Sequence, residues 1–403
     1  MRSGYAATGL CIGLALPSAA LADDSLAQAP VLSFTAAYTG EIWSLAAGGE
    51  RPGERYLDDL DLQLTVDLAK AGGWQGAKLF VYGLYNNGRS FSGDLVGDLQ
   101  GVSNIETGIE ALRLEEAWID QSFADGHGSL RIGLYNLNSE FDASLVRSPF
   151  LNPSHGIGPD FGQAGLNGPS IFPATSLAAR AAWTFDSGAY ARFAVLDGVP
   201  DDPAHPKRTT IDLRGRDGAL LAAEAGLAKD SGLLLSLGVW DFTAAFDDLT
   251  DKTPSGDPVQ RHDDRGAYAS AEGPLWSRED HDPIDVSGFA RAGVAADDVN
   301  PIASYIGAGL VANGPLDVRP ADKLGIAIAI ANVGDRFRAL TRAASGVPAA
   351  REVNIEMTYQ AALFDGLLLQ PDLQWIDHPS ADASIRDAWV VGIRFKLDRS
   401  WSD

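Results

Sequence analysis

No cysteine follows Cys11, and no apolar run in the 403 residues is long enough to cross a bilayer as a helix. A helical span needs about 20 such residues, so helical membrane architectures are excluded. An exported chain without cysteines has no disulfide framework, which excludes the small stapled secreted domains. Cations are scarce as well: 31 Lys and Arg against 54 Asp and Glu leave a net charge of −23. Nucleic acid is therefore not a partner, because phosphate binding needs clustered Lys and Arg. The chain also lacks a G-x-S-x-G elbow, an H-E-x-x-H helix and a phosphate-binding Walker loop. His127, His155, His205, His262, His281 and His378 are scattered through expected loops and turns and read as solvated. Glu115 and Glu116 are adjacent, and strand alternation sends neighbours to opposite faces, so the pair cannot flank one glycosidic bond. Asp247, Asp248, Asp251 and Asp257 depart from calcium-loop spacing and read as a solvated loop with at most weak cation binding. No catalytic residue, metal or cofactor is expected.

What is present begins with an address. Arg2, an apolar run from Ala6 to Leu16, Pro17 and the small-x-small Ala20-Leu21-Ala22 make 1–22 a cleaved secretory signal. Residues 23–403 then form one domain. Mean hydropathy is near zero, at −0.05, the average expected when apolar and polar residues alternate and cancel.

That alternation recurs sixteen times. The expected strands are 31–45, 57–69, 76–86, 111–122, 128–137, 177–186, 188–197, 218–228, 232–243, 265–273, 285–295, 303–312, 323–333, 350–363, 366–376 and 386–397. In the second, Leu60, Leu62, Leu64, Val66 and Leu68 share one face, and Asp59, Asp61, Gln63, Thr65 and Asp67 the other. Connections sort by length, with tight glycine turns such as Asp186-Ser187-Gly188 alternating with long polar segments. The longest is 138–176, dense in Gly, Pro, Asn and Ser, with no sustained period. Short turns at one end and long loops at the other describe an outer-membrane barrel. In lipid no water satisfies a free strand edge, so first and last strands must join. A loop as long as 138–176 makes sense if it folds into the hole of such a barrel.

With the apolar face set outward, Arg113, Glu115, Arg131, Arg180 and Arg192 point inward, and Asp59, Asp61 and Asp67 supply acceptors. A guanidinium offers a planar fork of donors that matches hydroxyl pairs or carboxylates. A constriction carrying donors and acceptors passes small polar molecules and binds them weakly. Tyr38, Trp43, Trp74, Tyr85, Trp118, Tyr135, Trp183, Phe185 and Trp240 recur near strand ends, where interface girdles want amphipathic rings.

Two stretches resemble the carbohydrate-selective (OprB-like) outer-membrane porin family. One is E-V-N-I-E-M-T-Y-Q-A-A-L-F-D-G-L-L-L-Q-P-D-L-Q-W-I-D-H-P, from Glu352, followed by A-W-V-V-G-I-R-F-K-L. The other runs from Leu112 through L-R-L-E-E-A-W-I-D-Q-S-F and S-L-R-I-G-L-Y-N-L-N-S-E-F into S-P-F-L-N. The resemblance implies an all-β, sixteen-stranded transmembrane barrel whose third external loop narrows the pore. It further implies diffusion of monosaccharides such as glucose across the bacterial outer membrane, with arginines at the constriction, for which Arg113 and Arg131 are candidates. Outer-membrane lipid is the surrounding partner, and a homo-oligomer stays open. Lumen arginines would serve small organic acids or polyols equally well, and a secreted polysaccharide-binding or degrading protein is the alternative from another class. One departure from the family pattern is the tail from Asp398 to Asp403, in place of a terminal aromatic.

Overall fold

The computed structural model describes residues 30–213, 215, 217–262, 264–277, 286–316 and 318–403. The expected signal, 1–22, lies outside them. Alternating sequence gives long antiparallel strands: β1 (Leu32–Gly49), β2 (Glu54–Asp67), β3 (Ala77–Asn87), β4 (Glu110–Phe123), β5 (Gly128–Tyr135) and β6 (Ser176–Thr184). There follow β7 (Ala189–Asp197), β8 (Ala219–Ala228), β9 (Leu234–Phe242), the short pair β10 (Phe246–Lys252) and β11 (Pro258–Arg261), and β12 (Arg265–Trp276). The last are β13 (Val286–Ala295), β14 (Ile302–Asn313), β15 (Lys323–Val333), β16 (Arg351–Phe364), β17 (Leu367–Asp377) and β18 (Arg386–Ser402). All but β10 and β11 join one closed sixteen-stranded barrel, sealed where β1 pairs with β18. Each of the sixteen expected strands is one of these.

The faces are unambiguous. On β4, Leu112 is 72% exposed whereas Arg113 is 6% exposed. On β18, Trp389, Val391, Ile393 and Leu397 are exposed, while Val390 is buried and Arg394 pairs with Glu41. An apolar exterior around a polar interior is unstable in water and correct in hydrocarbon, where closure also satisfies every ladder bond. At the short-turn end Gly188 holds φ +80°, and a Cβ there would meet the Ala228 carbonyl oxygen at 2.0 Å. That turn admits no larger residue.

Strict alternation fails at one place that matters. Tyr82 of β3 pairs with Glu116, and Gly83 pairs with Leu114, so Glu115 is an extra residue on β4. This bulge turns both Glu115 and Glu116 inward, 1% and 7% exposed, against the expectation that they take opposite faces. Asp67 is likewise no pore acceptor. It caps the helix α1 (Leu68–Gly72), taking the amides of Ala69 and Lys70 at 3.0 and 3.2 Å.

Three further expectations need correction. Trp43, Tyr135 and Trp240 are not girdle residues; they face inward and are buried at 0%, 0% and 2% exposure, Trp240 stacking on Phe161. Trp118 also faces inward, under the Arg131 guanidinium. Trp74, Trp183 and Phe185 are exposed rings at the short-turn end, joined there by Phe123, Trp276 and Trp401. The acidic run 247–257 is the β10–β11 hairpin rather than a solvated loop. Its Asp248 is buried under Arg261, at 2.8 Å, and Arg336 of the helix α3 (Asp335–Ala343). The tail after Leu397 continues β18 as far as Ser402, paired with β1, and Trp401 stacks on Phe34.

Candidate functional site

The long segment between β5 and β6 is stitched to inner-face side chains around much of the barrel. The amide of Asp142 donates to Glu224 of β8 at 3.0 Å, and that of Leu145 to Glu272 of β12 at 3.1 Å. The amides of Leu151 and Asn152 donate to Glu356 of β16 at 2.6 and 3.0 Å, and Gln370 of β17 donates to the Pro149 carbonyl at 2.7 Å. The segment is ordered by its own turn chemistry. Asn152 caps the turn at Pro153–His155, and Pro159 opens the helix α2 (Pro159–Gly162). The strongest stitch is ionic: Arg291 of β13 holds Asp142 at 2.9 Å and also Asp160, and Arg147 holds Asp142 from the other side at 3.1 Å.

A second node lies where this segment leaves β5. Arg131 and Arg180 are direct cross-strand neighbours, a like-charge pair that would repel. Two carboxylates bridge them. Asp120 lies 2.9 Å from Arg131 and 2.7 Å from Arg180; Glu140 lies 3.4 and 2.8 Å away, and also accepts from the Tyr135 hydroxyl at 2.5 Å. Arg192 is paired with Glu224 at 3.5 Å and donates to the Glu140 carbonyl. Burial alone would push the Glu140 carboxyl up, but the guanidiniums of Arg131, Arg180 and Arg192 outweigh it and hold the carboxyl below its usual value. Asp142 is likewise held low, its burial outweighed by Arg291 and Arg147.

A cavity of about 790 Å³ runs between this segment and the wall. Asp59, Asp61, Arg131, Arg180 and Arg192 line it, five of the eight side chains expected to face the lumen; Arg113, Glu115 and Asp67 do not. Arg113 is tied instead to Asp201 at 3.0 Å and to the carbonyls of Pro173 and Pro206. Sequence reasoning missed Glu140, Asp142, Arg147 and Arg291. The parity that pointed Arg131 inward also points Arg291 inward, and an acid inside a loop that faces several inward arginines is the signal for Glu140.

His155 departs from the solvated reading. It is fully buried between Phe150 and Phe289, ring centroids 5.0 and 5.7 Å away. Burial, reinforced by Arg147, pushes its pKa down to about 3, so the folded protein keeps it neutral. The unfolded chain protonates it below about 6.5. The unfolded state then binds more protons, so stability falls as pH drops below that value. The expected loss between pH 7 and pH 5 is about 2 kcal/mol in urea unfolding, and His155→Gln removes that slope. A wild-type slope unchanged by the substitution would contradict this assignment.

Residues 51–398 match the carbohydrate-selective porin, OprB family. Porin B of Pseudomonas aeruginosa is 25% identical over 400 residues, spanning 90% of this chain and 86% of its own length. The putative porin QuiX of Acinetobacter baylyi is 22% identical, over 84% of this chain and 82% of its own. Among solved structures, the high-pH form of Pseudomonas putida OprB superposes with a TM-score of 0.81 at 22% identity, covering 91% of this chain and 94% of that one. The channel DcaP of Acinetobacter baumannii shares the fold at 0.53 and 10% identity, over 91% and 97% of the two chains. The chain belongs to the carbohydrate-selective porin family and is a sugar channel of the bacterial outer membrane.

Proposed function

We propose that segment 138–176 lies across the lumen and narrows it, and that neutral solutes of monosaccharide size, glucose among them, diffuse through beside Arg131, Arg180, Arg192, Asp59 and Asp61. The observation that carries this is charge compensation. The cavity lining holds seven cationic side chains and five carboxylates. Three of the cations have acids just behind the lining: Arg147 with Asp142, Arg192 with Glu224 and Arg394 with Glu41. Donors and acceptors are thus abundant while fixed charge nearly cancels. Such a wall can exchange hydrogen bonds with hydroxyl groups and offers an anion little net attraction. A reading as a carboxylate porin would need guanidiniums without partners, and these have them.

Single-channel conductance in a planar bilayer, titrated with glucose and then with a small carboxylate, tests the reading. Glucose is expected to reduce the ionic current in a saturable way, and the carboxylate to leave it unchanged. Reduction by carboxylate alone would replace the sugar reading with an anion channel on the same barrel.

A further inference from the structure

On the outward face, a second cavity of about 830 Å³ opens over β7, β8, β9, β12 and β13. Strand register places Phe193, Ala223, Val239, Ala267 and Val294 in one row across these five strands. Bulky side chains alternate with methyl groups, so the row is grooved. Phe193, Val239 and Val294 stand 48%, 53% and 54% exposed. Phe193 and Val239 flank Ala223, and Val239 and Val294 flank Ala267, each pair two strands and so roughly 10 Å apart. That width takes one alkyl chain and excludes the broad convex wall of a second barrel.

The next row, nearer the long-loop end, changes chemistry. Leu221, Asp241 and Arg265 are cross-strand neighbours there, and Asp297 borders the same cavity. Arg336 also borders it but is already engaged by Asp248 and Asp251. Arg265 is exposed and, among the described residues, forms no ion pair. An apolar slot capped at its long-loop end by both signs of charge fits a particular kind of molecule. We propose that the slot holds one acyl chain of a phosphorylated lipid of the outer leaflet. Arg265 takes a phosphate oxygen, and Asp241 and Asp297 face the divalent cations that travel with the phosphate. A plain hydrocarbon tail would leave these charges unmatched. A phosphate without its cations would meet two aspartates.

Native mass spectrometry of the full chain, freed of lipid and titrated with dimyristoyl phosphatidate with and without magnesium, tests the proposal. One lipid per chain is expected, with binding weakened at least tenfold by EDTA or by Arg265→Glu and abolished by Ala223→Phe with Ala267→Phe, which fill the slot. These side chains lie outside the lumen, so conductance and the gel mobility of unheated protein stay as in the wild type and show that each variant is folded. Equal binding by wild type and the filled variant would overturn the proposal. So would a wild-type chain that binds no lipid, or an oligomer mass that the filling substitutions reduce to a monomer.

Discussion

Replacing Glu140 by glutamine is expected to turn the channel toward anions. Glu140 is the carboxylate shared by Arg131 and Arg180, and its removal leaves Asp120 alone between two facing guanidiniums. An uncompensated charge about 4 Å from a passing ion is worth roughly 1 kcal/mol in a water-like dielectric and about 4 near a protein surface. The anion-to-cation permeability ratio should therefore rise about tenfold or more. The zero-current potential across a tenfold potassium chloride gradient reads this directly. Glu140→Asp, which keeps the charge, should move the potential little. An unchanged potential in Glu140→Gln would mean that these guanidiniums do not face the conduction path. The reading of a charge-compensated sugar wall would then lose its support.

Arg291→Met is expected to free the loop without opening the barrel. The Arg291 side chain is completely buried and bridges Asp142 to Asp160. Without it Asp142 keeps Arg147, but Asp160 loses the one cation that pairs with it among the described residues. Stranding one partner of a buried ion pair costs roughly 3–5 kcal/mol. The closed ladder cannot relax locally, so the cheaper response is for 138–176 to leave the wall and carry its carboxylates to water. Conductance should rise, open-channel noise should increase, and protease should cut within the segment while the unheated gel mobility stays that of a folded barrel. A variant with wild-type conductance and a protected loop would show that the amide bonds to Glu224, Glu272 and Glu356 suffice. The proposed narrowing would then not depend on the ionic stitch.

The barrel was legible because its two solvents write a period of two into every strand. Leu112 beside Arg113, and Trp389 to Leu397 against Arg394, state the outside and the inside residue by residue. Features that break the period left no such mark. The bulge at Glu115 inserts one residue without changing composition, so Glu115 was placed inward correctly while the inward turn of its neighbour Glu116 was invisible. Trp43 and Trp240 sit near strand ends like girdle residues, and only the loops packed beneath show that they face inward. The acidic run before Arg261 looks like a solvated loop because its partner cation, Arg336, comes from 75 positions beyond Arg261. Around the inner cavity, the inward placing of Asp59, Asp61, Arg131, Arg180 and Arg192 follows from parity alone. Parity says nothing about loops, which is why Glu140 and Asp142 were missed and why Arg113, clasped by Asp201 and Pro206, looked available.

The seam between β1 and β18 has a consequence for how the polypeptide is made. The Leu32 amide donates to the Asp403 side chain at 2.9 Å, across a separation of 371 residues. Closing a loop that long costs about 3 kcal/mol more than closing one of ten residues, and the ladder returns that cost only when the final strand is in place. A message truncated anywhere before codon 386 therefore encodes no smaller pore. It encodes a sheet with two bare edges that hydrocarbon cannot accept, material for periplasmic proteases rather than for the membrane.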